Sequence, residues 1–102
     1  MITLLYPYKE HARFDFAYYL GTHVPFVKRC VGPTLKGIVI EKGLVGIMPD
    51  IPPPFLVIAH LYFESIKSFE NTFGAHAKEI FADIPNFTDL QPLAMISEVI
   101  AE

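Results

Sequence analysis

The chain reads as an α+β domain with element order βαββαβ, and three features of its sequence predict this. Four short apolar runs, at residues 2–6, 35–42, 55–63 and 93–100, carry the β-branched and aromatic residues that suit strands. Two longer segments, 15–31 and 65–81, instead space their apolar residues by three and four, as an amphipathic helix does. Proline and glycine punctuate the junctions between them.

The first strand, Ile-Thr-Leu-Leu-Tyr from residue 2, is stopped by Pro7, and residues 8–13 form a polar connection in which His11 is an exposed loop residue. Asp15 is the N-cap of the first helix. Phe16, Tyr19, Leu20, His23 and Val27 then fall on its inward face, so a histidine sits inside the apolar stripe. Pro25 lacks a backbone donor and presses its ring toward the carbonyl of Gly21, which predicts a kink or restart around His23. Gly32-Pro33 stops the helix.

Residues 35–42 form the second strand, with Ile38, Val39 and Ile40 at its centre. The stretch 43–54 holds two glycines and four prolines and so forms a stiffened loop, which either covers a site or serves as a mobile hairpin connection. The third strand, Phe55–Phe63, is apolar on both faces and belongs at the sheet centre. Alternation puts Phe55, Val57, Ala59, Leu61 and Phe63 on one face and Leu56, Ile58, His60 and Tyr62 on the other. Ser65 caps a second helix through Ile66, Phe69, Phe73, Ala77 and Ile80, bent or interrupted at Gly74. A turn at 83–86 leads to the last strand, 93–100.

Two right-handed crossovers place both helices on one face of a four-stranded antiparallel sheet, the ferredoxin-like arrangement. The other face is too apolar for water. Burying several hundred Å² of it at about 25 cal/mol/Å² is worth on the order of 10 kcal/mol before association costs. A homodimer packed sheet to sheet through the helix-free face is therefore expected, with a ligand cavity wherever small or polar residues replace bulk.

The composition bounds the function. At 102 residues the chain forms one domain, 1–102, with 52% hydrophobic and only 19% charged residues. A net charge of −3 and a pI near 5.7 argue against a nucleic-acid partner. The only adjacent basic residues, Lys28 and Arg29, suit the last turn of a helix. Lone Cys30 excludes an intrachain disulfide and reads as a small packing residue. No basic leader and no apolar run of ~18–20 residues is present, so no membrane partner and a cytoplasmic location are expected. The four histidines show neither metal-helix spacing nor an HExxH pattern, and there is no phosphate loop or Gly-x-Ser-x-Gly, so no metal and no cofactor are expected.

Residues 15–27, with their Tyr-Tyr-Leu-x-x-His-x-Pro-Phe-Val core, resemble the helix signature of the EthD family, named for ethyl tert-butyl ether degradation. Ala59-His60-Leu61-Tyr62-Phe63-Glu64-Ser65 is similar to that family's third strand and helix cap. Ala82-Asp83-Ile84-Pro85-Asn86-Phe87-Thr88-Asp89 resembles its turn before the last strand, and the likeness continues through Leu90-Gln91-Pro92 to Ser97-Glu98. The resemblance implies a dimeric α+β barrel in a bacterial cytoplasm. Its wider superfamily includes cofactor-free monooxygenases, polyketide cyclases, muconolactone isomerases and haem-binding enzymes, so a shared barrel does not specify a reaction. It also implies roles for His23 as the family's helix histidine and Asp83 as its turn aspartate.

The candidate catalytic residues are His23, His60 and Tyr19. Tyr6, Tyr62, Phe26 and Asp83 are the candidate substrate-binding residues. His23 acts either as a general acid/base in a pocket or as a buried imidazole that holds the helix on the sheet. His60 and Tyr62 reach a ligand if their face lines the cavity, and are core residues if it meets the helices. Asp83 stabilises its turn through side-chain to backbone bonds. The expected function is an enzyme acting on an apolar or aromatic small molecule by cofactor-independent oxygenation, cyclisation or isomerisation. The alternative is a non-catalytic protein that binds a hydrophobic ligand or plays an accessory part.

Overall fold

The computed structural model describes residues 1–102. Strands β1 (Ile2–Pro7), β2 (Leu35–Lys42), β3 (Phe55–Phe63) and β4 (Leu93–Ile96) form one sheet in the order β2-β3-β1-β4. All three neighbouring pairs are antiparallel, as the ferredoxin-like order requires. The first helical segment comprises α1 (Phe16–Tyr18), a π-turn (Tyr19–His23) and α2 (Val24–Val31). The second comprises α3 (Ile66–Asn71), a 3₁₀ turn (Gly74–His76) and α4 (Ala77–Ala82). None of these helices is long and apolar enough to cross a membrane.

The core lies between the helices and one sheet face. Ile2, Leu4 and Tyr6 of β1 and Val57, Ala59 and Leu61 of β3 are buried there against Tyr19, Val24, Val27, Val31, Phe73 and Ile80. The alternation expected in β3 therefore holds, and its Val57 face meets the helices.

Pro25 restarts the helix. The Val24 N–H reaches back five residues to the Tyr19 carbonyl, and α2 begins with Pro25 in its first turn, where a missing donor costs least. The wider turn also shifts the helical register. Leu20, expected to face inward, is exposed, while Val24 is buried in its place. At the far end Gly32 takes a positive φ of 58°, a conformation suited to a helix terminus at glycine.

Two other expectations need correction. Ile66, expected in the core, lies on the exposed side of α3. β4 ends at Ile96 rather than residue 100, because its ladder partner runs out: β1 begins at Ile2, and the last bonds join Ser97 N to the Met1 carbonyl and the Met1 ammonium to the Ser97 carbonyl. Val99 and Ile100 have no strand to pair with and are exposed.

Candidate functional site

The start of the first helical segment is clipped onto the turn that follows the second. Asp15 caps α1 by accepting from Tyr18 N at 3.0 Å, while its own N–H donates to the Phe87 carbonyl at 2.7 Å. Arg13 donates through Nη2 to the Pro85 carbonyl at 2.6 Å, and its own carbonyl accepts from Thr88 Oγ1 at 2.6 Å. These bonds set Asp83 against the helix.

The Asp83 carboxylate accepts three side-chain hydrogen bonds: from the Tyr18 hydroxyl at 2.6 Å, from His23 Nδ1 at 2.8 Å and from Asn86 Nδ2 at 2.9 Å. The expected side-chain to backbone role of Asp83 is thus replaced by bonds between side chains. Burial works against its ionisation, but the bonds from Tyr18, Asn86 and His23 outweigh it and hold the carboxyl below the usual range. An ionised carboxylate only accepts, so His23 Nδ1 carries the proton and Nε2 keeps the lone pair. Burial lowers the pKa of His23, opposed by the bond and charge of Asp83. The imidazole is therefore neutral and oriented near pH 7.

Aromatic rings pack around His23. Tyr19 stacks on His23 with centroids 5.7 Å apart, Phe87 approaches the imidazole to 4.7 Å, and Tyr6 meets Tyr19 edge-on at 6.2 Å. Burial pushes the Tyr19 phenol up to about 12. Burial and the neighbouring Tyr19 raise Tyr6 as well, so both phenols stay protonated. The Tyr6 hydroxyl is buried and has no hydrogen-bond partner. A void of about 20 Å³ lies beside His23, lined also by Leu4, Tyr19, Val24 and Phe73. It holds roughly one water molecule.

The structure brings Tyr6, Tyr19, His23 and Asp83 together on the helix side of the sheet. Phe26 lies outside this cluster, in an open cleft of about 430 Å³ with Thr22, Arg29, Glu79, Asp83 and Asn86. His60 and Tyr62 are on the helix-free face, across the sheet from His23, so no single pocket holds all the candidate residues. His60 Nε2 meets Glu41 Oε1 at 2.7 Å, and its Nδ1 lies 3.5 Å from Thr3 Oγ1. A polar row thus crosses three strands on a face whose other positions include Val39, Ile58, Leu93 and Met95. Nowhere do three His, Cys, Asp or Glu side chains converge as a metal would require.

The sequence pattern does not mark Tyr18, Arg13, Glu41 or Thr3 as site residues. Of the cross-strand partners of His60, Thr3 left a trace as a hydroxyl within the aliphatic run of β1, whereas Glu41 sits beside Lys42 at the polar end of β2. Tyr18 and Arg13 left none, because their partners lie 65 and 72 or more residues away.

A ferredoxin-like α+β domain with a buried His–carboxylate pair under its first helix defines the class. Residues 10–91 match the family model of the EthD domain, and the chain belongs to that family. Its structure is similar to that of an EthD-like protein from Ralstonia eutropha JMP134, with 40% identity over 99% of this chain and 91% of the other, at a TM-score of 0.91. An EthD family protein from Bacillus halodurans C-125 shares 20% identity over 95% of this chain and 96% of its own, at a TM-score of 0.65. HapK from Hahella chejuensis shares 12% over 100% and 96%, at 0.51. These last two likenesses speak for the fold alone. No curated protein matches the chain.

Proposed function

We propose that the chain is a cytoplasmic, homodimeric enzyme that removes a proton from an apolar or aromatic small molecule, with His23 as the base. The observation that carries this reading is the buried imidazole held through Nδ1 by Asp83 at 2.8 Å, which leaves Nε2 as the proton acceptor. Tyr6, in edge contact with Tyr19, adds a buried hydroxyl without a partner to the same aromatic cluster. The π-turn over Tyr19–His23 supports the reading, since such turns concentrate at functional sites. The void beside His23 is far smaller than a substrate, so the π-turn must lift from the sheet to admit one and close again to exclude water. The substrate then determines whether the carbanion isomerises, cyclises or reacts with dioxygen. The homodimer forms through the helix-free face, where Val39, Leu93 and Met95 are exposed around the His60–Glu41 row.

The small void also favours a second reading, a non-catalytic protein that binds an apolar ligand between the two sheets while His23 only fastens the helix. Exchange of the acidic methylene protons of anthrone in D₂O under argon, followed by NMR, separates the two. The wild-type protein accelerates exchange, and His23→Ala lowers that acceleration by ~10²-fold or more with its circular dichroism unchanged. Should that variant unfold, Asp83→Asn reads the same loss by reversing the imidazole tautomer. No acceleration by the wild type, or equal acceleration by the folded variants, overturns the reading.

A further inference from the structure

We propose that the Pro-rich loop at 43–54 is an arm that clasps a second copy of this chain, seating Ile47 and Met48 in the apolar groove beneath the partner's β4. The inference rests on the homodimer reading above and adds the surface by which the copies hold one another.

The arm is apolar where water is its only neighbour. Ile47 at its tip is 100% exposed, Leu44 79% and Val45 71%, and Met48 and Ile51 are each more than half exposed. Asp50 is the one charge between Gly43 and Pro54. Yet the arm holds a defined shape: Gly46 N donates to the Ile51 carbonyl at 2.6 Å, Gly43 N to the Leu56 carbonyl at 2.8 Å and Tyr8 N to the Pro54 carbonyl at 3.0 Å. A Cβ on Gly46 would meet the Ile51 side chain at 2.8 Å, so glycine lets the tip fold this tightly. Ordering entropy is therefore largely lost before any partner arrives, which is what a docking element gains from rigidity.

The groove is the arm's counterpart. It encloses about 440 Å³ and is lined by nine side chains, all hydrophobic, among them Leu4, Phe69, Phe73, Phe81 and Met95. Above it runs the edge strand β4, Leu-Ala-Met-Ile, with no charge or proline to discourage pairing, whereas the opposite edge, β2, carries Lys36, Glu41 and Lys42. The chain's own arm leaves the sheet from the β2–β3 end, beside Pro7 and Tyr8. The groove lies under Ile2 and Leu4 at the other edge, so a second copy is the natural donor.

The area is sufficient. The five apolar side chains of one arm expose on the order of 600 Å², so reciprocal clasping by two arms, counting the surfaces they cover, reaches the ~1,200–2,000 Å² of a stable interface before the sheets contribute anything.

The test is a directed disulfide. In a Cys30→Ala background, an Ile47→Cys variant and a Met95→Cys variant are mixed under mild oxidation. The mixture is expected to give a covalent species of twice the 11.5 kDa chain mass that neither variant forms alone. Ile47→Asp, a change at a fully exposed position, is expected to weaken the dimer Kd at least tenfold by light scattering. A wild-type dimer with no 47–95 disulfide overturns the arm and leaves the homodimer standing. A wild-type monomer at micromolar concentration overturns both. Saturable binding of anilinonaphthalene sulfonate to the wild-type dimer that is lost in Phe73→Ser but unaffected by Ile47→Asp assigns the groove to a small apolar ligand and overturns the arm.

Discussion

In an Asp83→Asn variant the side chain keeps its shape while one acceptor oxygen becomes a donor nitrogen. Tyr18 and Asn86 both bond Oδ1, and His23 alone bonds Oδ2, so the amide does least damage by keeping its oxygen toward the first two. His23 then faces a donor and must move its own proton to Nε2, among apolar neighbours. Two charge-assisted bonds become neutral, at about 1 kcal/mol each, and the bond that His23 donates to Oδ2 is lost outright. Tyr18 and Asn86 recover part of their share from water, and the Asp83 side chain is itself 17% exposed. A net loss of about 2 kcal/mol remains, which lowers the urea midpoint by ~1–2 M at a fixed protomer concentration. Acid adds a second signature. His23 has a depressed pKa in the fold, so above 6.5 neither state binds its proton, and below it the unfolded chain does so first and stability falls. Removing the Asp83 charge lowers His23 further and extends that loss to lower pH. The wild type meets a later loss as Asp83, also depressed, is protonated below about 3.8. Urea melts between about pH 2.5 and 8, with ¹⁵N shifts to read the tautomer, test all of this. A midpoint within ~0.2 M of wild type, or a wild-type imidazole protonated at Nε2, refutes the reasoning.

Two further changes probe how the site is held. Phe87→Ala removes a fully buried ring that touches Tyr6, Phe14, Tyr19 and His23 and should cost about 3–5 kcal/mol in urea melts; a loss under about 1 kcal/mol would mean those rings close up without it. Gly43→Ala drives its new methyl into the Phe55 carbonyl oxygen and to 2.9 Å from Pro53 Cβ, so the base of the arm must shift at a cost of about 1–3 kcal/mol. An unchanged melting curve for Gly43→Ala would show that the arm is not held as described.

The elements that local chemistry decides were legible in the sequence. β2 and β3 occupy the residues their composition marks, because Gly32-Pro33, Gly43 and Pro54 close off every alternative. The misplacements arise where a distant partner or an irregular turn decides. β4 stops where β1 begins, at the Ile2–Ile96 pair, which hydrophobic periodicity within residues 93–100 cannot register. Counting regular turns puts Leu20 inward, but the π-turn that Pro25 accompanies inserts an extra residue before α2. Likewise, no spacing rule joins His23 to Asp83 across 60 residues. The family resemblance marked both residues without showing that they touch. Alternation sorted β3 correctly into two faces, but only the helices determine that His60 is on the uncovered one.

That position bears on how the sheets would meet. A charged group buried at an interface opposes association unless its hydrogen bonds are satisfied there. Glu41 is the only carboxylate among the strand residues of the uncovered face, and it is already paired within its own chain by His60 at 2.7 Å, while Thr3 lies on the far side of that imidazole. In the proposed dimer each copy would therefore bring a polar row whose hydrogen bonds are met within its own chain. The surrounding apolar positions would supply the drive to associate, and the polar row, set in mid-sheet, would not cancel it. On the helix side, burial and the Asp83 bond keep His23 neutral and oriented. On the open side, His60 bonds Glu41 beside solvent, so the two histidines differ in setting although both face a carboxylate at nearly the same distance.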